Sequence, residues 1–169
     1  MNIHPIFVHF PVALFTLYSI SEIVHSKKLN SAGWWFGVKA SMLFIGTLSA
    51  FPSVITGKMI EDEFERGAFH KLVETHQNFA YMTTIFFMVV SLLYLVAILD
   101  RTSFAEKWRQ NPLFRRIAAI NSFLLGSWFA VLVGLAGLAL ITITGALGGA
   151  IVRGPDVDPV ARFVYNMII

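Results

Sequence analysis

The side chains most able to do chemistry in this chain are its five imidazoles, His4, His9, His25, His70 and His76. Two of them open the segment HPIFVHFPVALF, each close to a proline, at the mouth of an otherwise apolar run. A neutral imidazole is the commonest side-chain ligand of transition metals and a standard axial ligand of haem iron. Ionisable groups within membrane helices generally serve a function. The chain has no cysteine, which excludes disulfides, thiolate clusters, zinc ribbons and covalently attached c-type haem.

Spacing limits how these rings can cooperate. Residues five apart differ by about 140° around a helix, and residues six apart by about 240°. Within the pairs His4/His9 and His70/His76, at most one ring can therefore point squarely into a bundle. From His9 runs the stripe Ala13, Thr16 and Ile20; from His76 runs Ala80, Thr83, Thr84, Phe87 and Ser91. Small and polar residues in membrane helices collect at helix–helix contacts, so both stripes read as interior faces. His9 and His76 are the inward candidates, and both are predicted metal ligands.

The elements that carry them are membrane spans. Of 169 residues, 56% are hydrophobic and 14% charged, with a mean hydropathy of +0.69. Such a composition leaves too little charge to cover a soluble domain. Crossing a bilayer takes roughly 20 apolar residues. Runs of that kind lie at about Pro5–His25, Trp34–Gly57, Val73–Leu99 and Ile117–Val152. The last is long enough to tilt, or to break near its terminal glycines. The first is not a cleavable signal peptide by pattern, because Lys27 and Lys28 follow its apolar run.

Short connections predict an all-α, integral membrane, up-down-up-down four-helix bundle over residues 1–152, with residues 153–169 as an outer-side tail. Lys27 and Lys28 mark the first loop, and Arg101, Lys107, Arg109, Arg115 and Arg116 the third. The second loop is net acidic, with Lys58, Arg66 and Lys71 against Glu61, Asp62, Glu63, Glu65 and Glu74. The positive-inside rule then puts loops one and three in the cytoplasm and both termini outside. Loop two, KMIEDEFERGAFHKLVE, is expected to form a short interfacial helix.

In such a bundle the first and third spans are diagonal and parallel, so imidazoles facing across the diagonal supply both axial ligands of one b-type haem near the outer face. Flat space is expected along Gly46, Ala50, Ser53 and Gly57 of span two, and along Ala130, Gly134, Gly137, Gly145 and Gly148 of span four. Lys58, Arg66, Lys71 and Arg153 are candidate propionate partners. His4 and His70 complete the predicted cofactor-binding set, tuning the site or replacing a preferred ligand. His25, at the opposite end, reads as interfacial. Direct binding of zinc, copper or iron is an alternative, with Glu61, Glu63 and Glu74 nearby. Helical spacings of five and six suit it less than i,i+4 spacing would. A cofactor-free scaffold is the bland alternative, since small-residue stripes are the ordinary means of close helix packing.

Glu22 and Lys39 lie at similar depth inside spans one and two, which predicts a mutual ion pair or, more sharply, part of a proton path. Trp34, Trp35 and Tyr94 read as interfacial anchors. Pro11 and Pro52 should kink their helices, with neighbours satisfying the freed carbonyls. There is no nucleophile triad, phosphate loop, dinucleotide fingerprint or catalytic carboxylate pair, and no basic face for nucleic acid.

HPIFVHFPVAL, the THQNFA that opens span three and the ITGALGGAIVRG that closes span four resemble the bacterial membrane family called domain of unknown function 2231. The resemblance covers most of the chain and implies a four-helix protein of the bacterial inner membrane. Its motif histidines correspond to His4, His9 and His76; His70 lies outside the motifs. Some relatives carry a histidine within the GxxGG motif, where this chain has Ala146. The expected function is electron transfer on the periplasmic side, as a subunit of a membrane complex rather than a stand-alone enzyme. Expected partners are the lipid bilayer, other protein subunits and a quinone.

Overall fold

The computed structural model describes residues 3–24, 26–64 and 70–169, the side chains at 27, 60–64 and 104 excepted. Helix α1 (His4–Ile23) leads through the short α2 (Lys27–Asn30) to α3 (Gly33–Phe64), and α4 (His70–Asp100) follows. A 3-10 turn and the short α5 (Glu106–Arg109) precede α6 (Pro112–Gly126), α7 (Trp128–Arg153) and the C-terminal α8 (Pro159–Ile168). Helices α1, α3, α4 and α7 are each long and apolar enough to cross a membrane. They close a ring in the order α1, α3, α4, α7, so α1 and α4 are diagonal as expected.

Contacts fix the register. Descending α1, His4 meets Gly57, Phe15 meets Gly46, and Glu22 meets Lys39, so α3 runs antiparallel. Along α4 and α7, His76 meets Gly148 and Phe87 meets Gly137, again antiparallel. The histidines thus mark one end of the bundle and the Glu22–Lys39 pair the other. Between them the axis is filled by rings from the two diagonal helices. Phe15 stacks on Phe87 with centroids 3.9 Å apart, and Tyr18 meets Phe87 and Tyr94 edge-on. Phe36 stacks on the far side of Tyr94 at 5.0 Å.

Glycines make this filling feasible. A Cβ on Gly46 would stand 2.7 Å from the Phe15 ring, and one on Gly137 2.8 Å from Phe87. Gly134 lets α7 approach until its missing Cβ would lie 2.7 Å from the Ser19 carbonyl. These positions were expected to leave flat space for a macrocycle. In mid-bundle that space is taken by the protein's own rings.

Pro11 lacks the N–H that would bond the Phe7 carbonyl one turn earlier. Ser53 Oγ on α3 reaches that carbonyl at 2.9 Å, with Ser49 O as a second acceptor at 3.0 Å. A neighbouring helix therefore repairs the break, as expected.

Several expectations are corrected. The fourth span does not run from Ile117 and does not break at its terminal glycines. The break falls at Gly126–Ser127, where Ser127 is extended (φ −101°, ψ 176°) and its hydroxyl caps Phe129 N at 3.1 Å. Gly126 is a weak helix former beside a strong cap, so two helices are preferred to one. In loop two, α3 simply continues to Phe64 and α4 starts at His70, with no separate interfacial helix among the described residues. The interior face of α1 is Phe15, Tyr18, Ser19 and Glu22, whereas Ala13 and Ile20 are exposed. Tyr94 is no interfacial anchor but one of the most buried side chains. The tail folds as α8, capped by Asp158 on Val160 N and Ala161 N, and buries Val164 against a cluster with Leu72, Leu147 and Ala150.

Candidate functional site

At one end of the bundle, His4 stands in the first turn of α1 and His76 in the second turn of α4. His4 Nδ1 lies 3.1 Å from Thr56 Oγ1 on α3, and the Ser53 backbone also engages the ring. Thr56 spends its own proton on Pro52 O at 2.8 Å, which leaves its oxygen as acceptor for the imidazole N–H. His76 Nδ1 lies 3.0 Å from Thr144 O on α7. A carbonyl only accepts, so Nδ1 carries the proton and Nε2 holds the lone pair of the neutral ring. Each ring rests edge-on against a glycine of the neighbouring helix: a Cβ on Gly57 or Gly148 would lie 3.1 Å from the Cε1 of His4 or His76. The two imidazoles are close enough to couple electrostatically.

This differs from the predicted ligand pair. His76 points inward, as the stripe through Thr83, Phe87 and Ser91 implied. His9 does not: its ring is exposed and folds back so that Nδ1 faces the Pro5 carbonyl on its own helix. The partner across from His76 is His4. His70, the first residue of α4, is exposed and not brought to the pair. His25 lies outside the described residues, as do Arg66, Glu65 and the side chains of Glu61, Asp62 and Glu63. Among the described residues no three His, Asp or Glu side chains group so as to hold a metal ion. Lys71, a candidate propionate partner, donates instead to Ile169 O at 2.8 Å.

At the other end, Lys39 Nζ donates to Glu22 Oε2 at 2.8 Å, the ion pair expected from their matched depth. Tyr94 donates its hydroxyl to Glu22 Oε1, and Tyr18 bonds both groups. Both tyrosines are about 1% exposed, and the carboxylate and ammonium are also buried. Four polar side chains from three helices thus satisfy one another in an apolar surrounding, which is what a buried charge requires. The sequence contained a partial signal, since Tyr18 precedes Glu22 by one helical turn and shares its face. Nothing local marked Tyr94, Thr56 or Thr144.

The fold and its four apolar spans define a helical membrane protein whose outward faces meet lipid. More narrowly, residues 1–158 match the family model described as predicted membrane protein (DUF2231), and the chain belongs to that family. No curated protein and no solved structure matches it.

Proposed function

We propose that this chain is a membrane-embedded b-type haem protein for electron transfer, with His4 and His76 as the axial pair. The observation that carries this reading is the gathering of two imidazoles from diagonal helices at one end of the bundle, with His76 Nδ1 anchored on a helix carbonyl. Such an outer-shell bond holds the ring and raises the basicity of the other nitrogen, as in metal-ligating histidines generally. A neutral nitrogen held in this way is what an iron ligand requires, and on α1 the inward His4 suits the second position better than the exposed His9. Bound there, the iron supplies one-electron transfer. The chain's own contribution is to hold both rings, exclude water with the Phe15–Phe87 stack below them, and leave Arg153 and Lys58 exposed at the same end.

Lys27, Lys28, Arg101, Lys107, Arg109, Arg115 and Arg116 lie at the end opposite the histidines. That distribution supports a periplasmic histidine end in a bacterial inner membrane, with both termini outside. The chain lacks cysteine, so single cysteines placed at Lys28 and Arg153 would be labelled cleanly by a membrane-impermeant maleimide. Labelling at 153 alone in intact cells is expected.

The decisive experiment is the visible spectrum of detergent-purified protein. A Soret band with reduced α and β bands is expected, lost in His4→Ala and His76→Ala and kept in His9→Ala. A colourless wild type, or pigment surviving both inward variants, overturns the proposal. A cofactor-free scaffold is the second reading, favoured by the glycine stripes being closed against Phe15, Phe87 and Ser19.

A further inference from the structure

The C-terminal helix α8 lies beyond the residues of the family match, and contacts at its two ends fix its level in the bundle. His76 on α4 meets Gly148 on α7, and these helices are antiparallel. Lys71, five residues before His76, therefore stands level with Arg153, five residues after Gly148. From Arg153 the chain enters α8 through residues 154–158, and the far end of α8 returns to Lys71, which donates to Ile169 O at 2.8 Å. Both ends of α8 are thus at one level, and the helix runs across the end of the bundle. Helix α7 has 26 residues, a length of about 39 Å. It outreaches a hydrocarbon core of about 30 Å and ends on Trp128 and Arg153, which puts the Arg153 level among the headgroups. α8 therefore lies along the membrane surface.

Its side chains divide to match. Successive residues differ by about 100° around a helix, so α8 sorts into three faces. Ala161 and Val164 are buried, Val164 against Leu72, Leu147 and Ala150, which seats the helix on α4 and α7. One flank carries Arg162 and Asn166, and Arg162 Nε donates to Asp156 at 2.6 Å. The other carries Val160, Phe163 and Met167, all exposed, and Phe163 keeps 66% of its surface free. Three large apolar side chains on one flank are an aggregation liability in water. At a bilayer surface a helix needs one flank apolar and the other polar.

We propose that α8 is an interfacial helix whose Val160, Phe163 and Met167 enter the acyl boundary of the leaflet at the histidine end. The occupant of this flank is lipid hydrocarbon, the same solvent that meets the outward faces of the four spans. Anionic lipid is not required, because Arg162 is the helix's single charged residue and is paired with Asp156. α8 pins the α4–α7 pair to the membrane surface whatever the imidazoles bind and whichever side of the membrane they face.

The chain has no cysteine, so Phe163→Cys, Met167→Cys and Asn166→Cys can each carry one nitroxide in the full chain, reconstituted in phosphatidylcholine nanodiscs. All three side chains are exposed, so these substitutions leave the core intact. Power saturation against oxygen, which dissolves among acyl chains, and against a water-soluble nickel chelate reads the depth of each label. The oxygen-to-nickel accessibility ratio should be several-fold higher at 163 and 167 than at 166, although 166 and 167 are neighbours in sequence. The same contrast is expected when phosphatidylglycerol is added. Equal nickel accessibility at all three positions would mean water on both flanks and overturns the proposal. Shielding of 163 and 167 from both reagents would mean that a second copy or another protein covers the flank, which overturns it as well. So does a contrast that appears only with phosphatidylglycerol, since charge would then be the attraction.

Discussion

The two ends of this bundle solve the same problem, polar side chains among apolar helices, in opposite ways. At the Glu22 end a carboxylate, an ammonium and two phenols satisfy one another and are sealed from solvent. At the histidine end Thr56 and the Ser53 backbone hold His4, Thr144 holds His76, and both rings stay only partly buried. The first arrangement is closed and suits holding three helices together. The second leaves a nitrogen lone pair on the neutral His76 ring. A buried ionic network resists change, whereas partly buried neutral rings depend less on one another.

The comparison predicts a gradient of mutational cost. Breaking the ion pair should hurt most: Glu22→Gln or Lys39→Met leaves an uncompensated buried charge, costing about 3–5 kcal/mol in unfolding of the detergent-solubilised protein. The double variant should recover much of that loss; if it is as unstable as the singles, the unpaired charge is not what destabilises them. Next come the glycines that admit the central rings. Gly46→Ala and Gly137→Ala force Cβ atoms into Phe15 and Phe87 and should each cost about 1–3 kcal/mol. Gly57→Ala and Gly148→Ala meet only the edge of an imidazole at 3.1 Å. They should cost less stability than the central pair, and equal losses at all four sites would erase the contrast between the ends. Ser53→Ala strands the Phe7 carbonyl that Pro11 leaves without its helical donor, an effect of about 1 kcal/mol. His9→Ala should be smallest, within about 0.5 kcal/mol, since the ring is exposed. A larger loss would mean that His9 turns inward after all.

Much of the architecture is legible in the residue order, and the exceptions share a cause. Four apolar runs of membrane length, the diagonal placement of α1 and α4, and the Glu22–Lys39 pair all follow from hydropathy and depth. The break at Pro11 and its repair follow from missing donors. Absolute facing does not follow: Ala13 and Ile20 are not interior, His9 is not turned to the axis, and Tyr94 is not an anchor. The position of the helix break is hidden for a related reason. Gly126 differs from the helical glycines of α7 in being followed by Ser127, whose extended backbone and hydroxyl cap on Phe129 N start a new helix.

Sequence by itself determined that His4 and His9 cannot both face the axis, because helical geometry fixes the angle between residues on one helix. It also determined that the chain spans a membrane, because no other solvent accommodates so many apolar side chains. Which of the two histidines faces inward was left to the tertiary structure. The rotation of α1 about its own axis is set by Phe15 seating into the notch at Gly46 and stacking on Phe87, and by Glu22 meeting Lys39. Those contacts join residues far apart in the chain, so no local pattern encodes the phase they impose.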